Sequence, residues 1–176
     1  MADCFPGEIR IGGRIPAVLV PEFIGHVKAT GTKVGGHDGL EFAATTTAEL
    51  REALDENGHL FLVDDQARGG MFEDLEAFCV AHGIPFDRHS DARYECHAEN
   101  VSYRPGMKEP VSIPSNNDGD DLFSVGAVRP IVKELTRVVT AGLSREKLKA
   151  AAVKIIRHLN SLLPLEIEPL PPLELG

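Results

Sequence analysis

Apolar positions in the middle of the chain change period from block to block. His59–Asp65 (HLFLVDD) holds four consecutive apolar residues, Leu60 to Val63, bounded by turn formers. Such a run predicts a strand buried on both faces. After Gly69-Gly70, the stretch MFEDLEAFCVAHG places Phe72, Leu75, Phe78 and Cys79 at helical spacing, with Gly83 positioned to end the helix. Ile84–His89 then reads as a second strand. Together, residues 59–89 predict a central βαβ unit with a right-handed crossover and strands 60–64 and 84–89 as parallel neighbours.

The flanks carry weaker signals. Glu8–Ile15 (EIRIGGRI) alternates and then meets Gly12-Gly13, predicting a short strand that ends in a tight approach. Val18, Leu19, Phe23, Ile24 and Val27 give a helix within 17–30, opened by Pro16 or Pro21. Residues 31–39 hold four glycines and read as a loop, and 40–43 as a weak strand. Thr45, Thr46 and Thr47 offer caps for the helix AELREALDENG, which Gly58 stops. Residues 100–104 (NVSYR) form a last short strand, and 109–121, with the cluster NNDGDD, a loop. Two helices follow, at 127–139 and 144–163. Leu148, Ala152, Ile155, Ile156, Leu159 and Leu163 line one stripe of the second. The Pro-rich end, PLEIEPLPPLELG, cannot be helical; it is either disordered or an extended strap docked by its leucines.

The expected class is α/β, with α+β as the neighbouring alternative: a small mixed sheet followed by a C-terminal helical pair and a Pro-rich tail. The expected divisions are an α/β domain at 1–108, an acidic linker at 109–125, a basic helical pair at 126–163 and a tail at 164–176.

Composition narrows this picture. The chain has 176 residues, enough for one domain with a helical appendage. Trp is absent and aromatics make up 6%, so the core must be aliphatic. No apolar run approaches the roughly 20 residues needed to span a bilayer. MADCFPGEIR lacks the basic and apolar regions of a secretory signal. Cys4, Cys79 and Cys96 form no framework, which fits reduced thiols in a cytoplasm.

Charge is segregated. Residues 129–157 carry eight basic and two acidic side chains, whereas residues 1–128 carry ten basic and twenty-two acidic ones. A basic helical segment on an acidic body suits protein contact. Lys147, Lys149, Lys154 and Arg157 are the expected partner-binding residues.

Three constellations could carry chemistry. If strands 60–64 and 84–89 adjoin, their carboxyl ends bring Asp64, Asp65 and Arg68 near Asp87, Arg88, His89 and Asp91. Ligands of open α/β sheets bind at such edges. Asp64 and Asp65 would bind an ion there, His89 would move a proton, and Arg68 or Arg88 would orient an anionic substrate. Polar strand ends also arise simply because the chain leaves the core there. Cys79, His82, Cys96 and His97 are of zinc-ligand type but match no zinc spacing, and Cys79 falls on the apolar helix face. No glycine stretch fits a phosphate loop, and NNDGDD does not fit an EF-hand register.

The expectation is therefore a cytoplasmic, non-catalytic protein that acts by binding another protein, in an accessory or regulatory role, with no cofactor. A two-fold homodimer through the apolar stripe is a second form of the same contact. A metal-dependent hydrolase at the Asp/His edge is the enzymatic alternative. Nucleic-acid contact through the basic helices is a third, opposed by the acidic body and by the lack of stacking aromatics over 124–163. No membrane contact is expected.

Overall fold

The structure is a computed structural model that describes residues 4–93, 96–163 and 166–176. The chain is an α/β protein of two compact units, Met1–Asp121 with Ile167–Gly176, and Leu122–Glu166.

In the first unit the chain runs through β1 (Cys4–Ile11), β2 (Gly13–Ile15), α1 (Val20–Thr30), β3 (Lys33–Val34), β4 (Leu40–Glu41), α2 (Thr47–Glu52), β5 (Leu60–Arg68), α3 (Glu73–His82), β6 (Phe86–Ser90), β7 (Glu99–Tyr103) and β8 (Val111–Pro114). α1 starts with a proline in its first turn and ends at Gly31, whose φ of 65° is left-handed. α2 has a capping box, in which Thr46 accepts from the Glu49 amide and Glu49 reaches back to the Thr46 amide. Seven strands form one sheet in the order β4-β3-β5-β1-β6-β7-β8.

The expected parallel neighbours are corrected here. β5 and β6 do run parallel, but β1 lies between them and pairs antiparallel with both. Every pairing in this sheet is antiparallel, so it is not mixed. The packing of Ile9 and Ile11 seats β1 between β5 and β6. Ile9 and Ile11 are fully buried on the helix side, with Glu8 and Arg10 on the other, which suits a central strand with one covered face. The LFLV run is covered on both faces, as expected, since Val63 is as fully buried on the second face as Leu60 and Leu62 are on the helix side. Leu60 and Leu62 join the helix-side core, while Phe61 lies under the Arg10 guanidinium, 3.9 Å from its ring centre. The expectation of an aliphatic core is corrected: Phe23, Phe42, Phe72, Phe78, Phe86 and Tyr103 are buried in it, because the few aromatics of the chain are gathered inside, and α1, α2 and α3 supply Phe23, Val27, Leu50, Leu75 and Phe78 against the sheet.

Two further expectations change. Residues 109–121 are not all loop, because β8 adds the outer strand beside β7. The NNDGDD turn is organised by Asn116, whose side-chain oxygen accepts from the Asp118 and Asp120 amides. The Pro-rich tail is the docked strap of the two alternatives. β9 (Leu173–Leu175) pairs parallel with β2, and Leu173 is buried. Gly12 and Gly13 make room for it. A Cβ on Gly12 would collide with the Pro171 carbonyl, and Gly13, at φ 72°, donates its N–H to the Pro171 and Pro172 carbonyls.

The second unit is a helical hairpin, α4 (Val125–Thr140) and α5 (Arg145–Leu162). Ile131, Val138 and Ile155 are its buried residues, with Ala151 and Leu162 packed against them. No helix among the described residues is long and apolar enough to cross a membrane.

Candidate functional site

The sheet face away from α1 and α3 is polar, and strand register sets its order. Reading across the strands, Lys33, Val63, Glu8, His89 and Asn100 occupy one row. Asp64 and Ser90 flank Gly7 in the row beyond. The two carboxyl ends that were expected to meet are thus separated by β1, about 10 Å from strand to strand.

The carboxylates of the expected edge are engaged separately. At Pro6 the β1–β5 pairing slips, so Asp65 and Gln66 bow out opposite a residue with no N–H to give. Asp64 serves this bulge, its Oδ1 accepting from the Gln66 amide at 2.8 Å. Asp65 turns to Lys33 Nζ and His37 Nδ1, each at 2.6 Å. Asp87 forms a two-pronged pair with Arg104, at 2.8 and 2.9 Å. Arg68 is exposed. Arg88 lies on the opposite face from Asp87 and His89, because successive strand residues alternate. It is 4% exposed and donates to Glu99 Oε1 at 2.5 Å and to the Gly70 carbonyl at 3.2 Å. Its Nε lies 3.0 Å from Glu76 Oε1, close in charge but off the hydrogen-bond direction.

The structure instead assembles two short relays that the sequence did not announce. In one, His37 stands between Asp65 and Glu8, with Nε2 3.4 Å from Glu8 Oε1. The hydrogen bond to Asp65, aided by the charges of Asp65, Glu8 and Asp91, outweighs partial burial and raises the His37 pKa above its ordinary value. Lys33 and then His37 hold Asp65 below the usual carboxylate range. In the other relay, Asn100 Nδ2 donates to the Gly119 carbonyl and to Asp121 Oδ1, both at 2.8 Å. This orients Asn100 Oδ1 to accept from His89 Nδ1 at 2.8 Å. His89 Nε2 then faces Asp91 Oδ1 at 3.4 Å. Glu8 and His37 could be found only by knowing that β1 divides β5 from β6, since neither lies in a motif.

The His37 contacts give a stability prediction. A raised histidine pKa contributes fully below about pH 6.5 and is lost as pH rises through the folded value. A lowered Asp65 pKa contributes above about pH 3.8 and is lost as pH falls through its folded value. His37→Gln should therefore lower the melting temperature most near about pH 5, with the two proteins converging at alkaline pH. An equal deficit at every pH would show that the imidazolium is not the stabilising species.

The cysteine and histidine candidates do not converge. Cys79 is buried in the core, where desolvation, aided by Glu76, pushes its thiol up to about 12. His82 packs on the Phe78 ring at 4.5 Å, and Cys96 and His97 are exposed. Among the described residues no three His, Cys, Asp or Glu side chains group so as to hold a metal ion. A depression of about 400 Å³ beside β4 and α2 is mostly apolar, and its Glu49 is committed to the capping box.

Lys147, Lys149, Lys154 and Arg157 are all exposed on α5, and Lys154 reaches Glu134 at 3.9 Å. The larger feature of this unit is apolar. Fifteen large hydrophobic side chains are exposed among the described residues, and twelve of them lie between Leu122 and Leu163. Compared with known proteins, the chain matches no family model, no curated protein and no solved structure.

Proposed function

We propose that this protein acts by binding another protein, without catalysis, and that the contact surface is the outer face of the α4–α5 hairpin. The carrying observation is the second apolar stripe on each helix. Ile131 and Val138 on α4 and Ile155 on α5 face inward, yet Val132, Leu135 and Val139, and Ile156 and Leu159, remain exposed. Two helices with so small a shared core are marginal alone. Pro130 removes one more helix hydrogen bond inside α4. A contiguous apolar surface of this kind marks a contact surface. The basic side chains around it would steer and orient the partner more than tighten it. Reduced cysteines suit a cytoplasmic setting for this role.

A photo-crosslinking residue in place of Leu135 tests the reading in the intact chain in cells. The expected result is a discrete protein adduct, absent when the same probe replaces exposed Val18 on the body. Equal labelling from both positions would defeat it. The polar sheet face favours no second reading, because its carboxylates are already engaged by Lys33, His37 and Arg104.

A further inference from the structure

We propose that loop 35–39 and β4 form a proton-operated flap at the sheet edge, held down by charged His37 and released when that charge is lost. The backbone holds this segment weakly. β4 is the outermost strand, two residues long, and pairs with β3 alone. The Gly35 amide on the Phe61 carbonyl and the Phe42 amide on the Thr32 carbonyl fasten its two ends. Gly35 and Gly36, at φ 79° and 112°, make the loop costly to keep ordered. Side chains supply the remaining hold, and they converge on His37. Its Nδ1 meets one Asp65 oxygen at 2.6 Å, and Lys33 Nζ takes the other oxygen at 2.6 Å. The same ammonium donates to the His37 carbonyl at 2.9 Å. His37 Nε2 lies 3.4 Å from Glu8 on β1. One imidazole thus ties the loop to both β5 and β1.

Only the imidazolium suits both ties. A carboxylate accepts and has no proton to give, and neutral imidazole has a single N–H. Without its charge, His37 sets a nitrogen lone pair against Asp65 or Glu8. The surrounding charge has the same sense. Asp65, Glu8 and Asp91, from three different stretches of the first unit, draw positive charge to His37. Lys33 on Asp65, and Arg10, 4.0 Å from Glu8, answer only part of it. His89 on β6 stands across from Glu8 and 3.4 Å from Asp91, so its own proton, when present, competes for the same carboxylates. The Asp65 hydrogen bond, against partial burial, and then these charges raise the His37 pKa. The flap is therefore closed on the acid side and opens as pH rises through the folded value. Lys33 keeps Asp65 in both states, so β3 stays in place as the hinge side.

Opening changes the surface. Leu40 and Glu41 of β4 and the following Phe42 line the depression beside α2, together with Val34, Glu52 and Ala53. Phe42 belongs to the core, and Val34 packs against it. Lifting β4 draws Phe42 out and bares Val34, which turns a covered edge into an apolar one. A rise in pH thereby exposes a patch that the acid form hides.

The test follows hydrogen exchange of the full chain between about pH 5.5 and about pH 8.5, with the His37 ring titrated by NMR in the same samples. Rates are read as protection factors, which remove the intrinsic pH dependence of exchange. Protection at the Gly35 and Phe42 amides should fall at least about threefold across the His37 midpoint. Both amides should also exchange at least about tenfold faster than those of β1, the mark of an opening short of unfolding. His37→Gln should hold the alkaline level throughout. His37→Arg, whose charge does not titrate, should hold the acid level. The His37 side chain is 52% exposed, so neither replacement disturbs the core. The inference is overturned if wild-type protection is unchanged across the midpoint, if either variant shows the same fall, or if Gly35 and Phe42 exchange no faster than β1.

Discussion

Arg88→Leu should cost the fold about 3–5 kcal/mol, read as a lower midpoint in urea at unchanged slope. The side chain crosses the helix-facing side of the sheet almost fully buried, with Glu76, Glu99 and the Gly70 carbonyl around its guanidinium. Leucine fills much of the space but strands the carboxylates. Glu76 keeps only the Phe72 amide among these contacts, and Glu99 keeps the Ser112 hydroxyl at 2.5 Å. Most of the loss is then a penalty for unpaired charge, not a measure of the worth of the pair. Adding Glu76→Gln and Glu99→Gln to Arg88→Leu should recover at least about half of it. A deficit under about 1 kcal/mol for the single variant would mean that water reaches the site. The pH dependence has a definite sign. Burial pushes the Glu99 carboxyl up, but Ser112 and Arg88 together outweigh it and leave the pKa lowered. The stabilisation is present above about pH 4.5 and fades as pH falls through the folded value, so wild type and variant should converge in acid.

Arg88 also shows what the sequence could and could not disclose. Its neighbours in the chain suggested an anion-binding arginine at a sheet edge. Alternation along β6 sends it to the face opposite Asp87 and His89, but which face is covered depends on partners far away in sequence. The long local signals were legible. The 59–89 strand–helix–strand succession, the Gly83 stop, the Thr46 cap and the two C-terminal helices all rest on interactions within a few residues. Strand order was not legible. The insertion of β1 between β5 and β6 is set by the packing of Ile9 and Ile11, and an alternating strand looks the same at a sheet edge as at its centre. The polar relays inherit that uncertainty. Asp65 was noticed, whereas Glu8 and His37 became neighbours of it only through the pairing. The outer stripe of α5 was visible, mixed with the inner residue Ile155. The matching stripe on α4 required knowing which of its valines face α5.

Arg104→Met should cost about 2–3 kcal/mol and release the C-terminal strap. Arg104 joins three parts of the first unit. Its Nη atoms donate to Asp87, to the Phe86 carbonyl and to the Tyr103 carbonyl, and its Nε donates to the Glu168 carbonyl at 2.8 Å. The loss should be smaller than at Arg88, because Asp87 is 38% exposed and can be rehydrated. The strap then keeps buried Leu173, its pairing with β2, backbone hydrogen bonds with Gly13, Gly58 and Ile15, the Arg51 and Arg14 guanidinium groups on the Leu175 and Gly176 carbonyls, and His59 Nε2, which lies 3.1 Å from the Leu170 carbonyl. A glutamate-specific protease reads the change at the Glu174–Leu175 bond, which pairing with β2 shields. Cleavage there should be about tenfold faster in the variant, in step with local opening. Arg104→Lys separates the two roles. An ammonium keeps the charge opposite Asp87 but lacks the planar fork needed to serve Asp87 and Glu168 together. It should therefore regain part of the global stability while Glu174–Leu175 stays open to the protease. If Arg104→Met loses stability and the strap remains protected, these other contacts hold the strap by themselves, and Arg104 is a bond within the sheet alone.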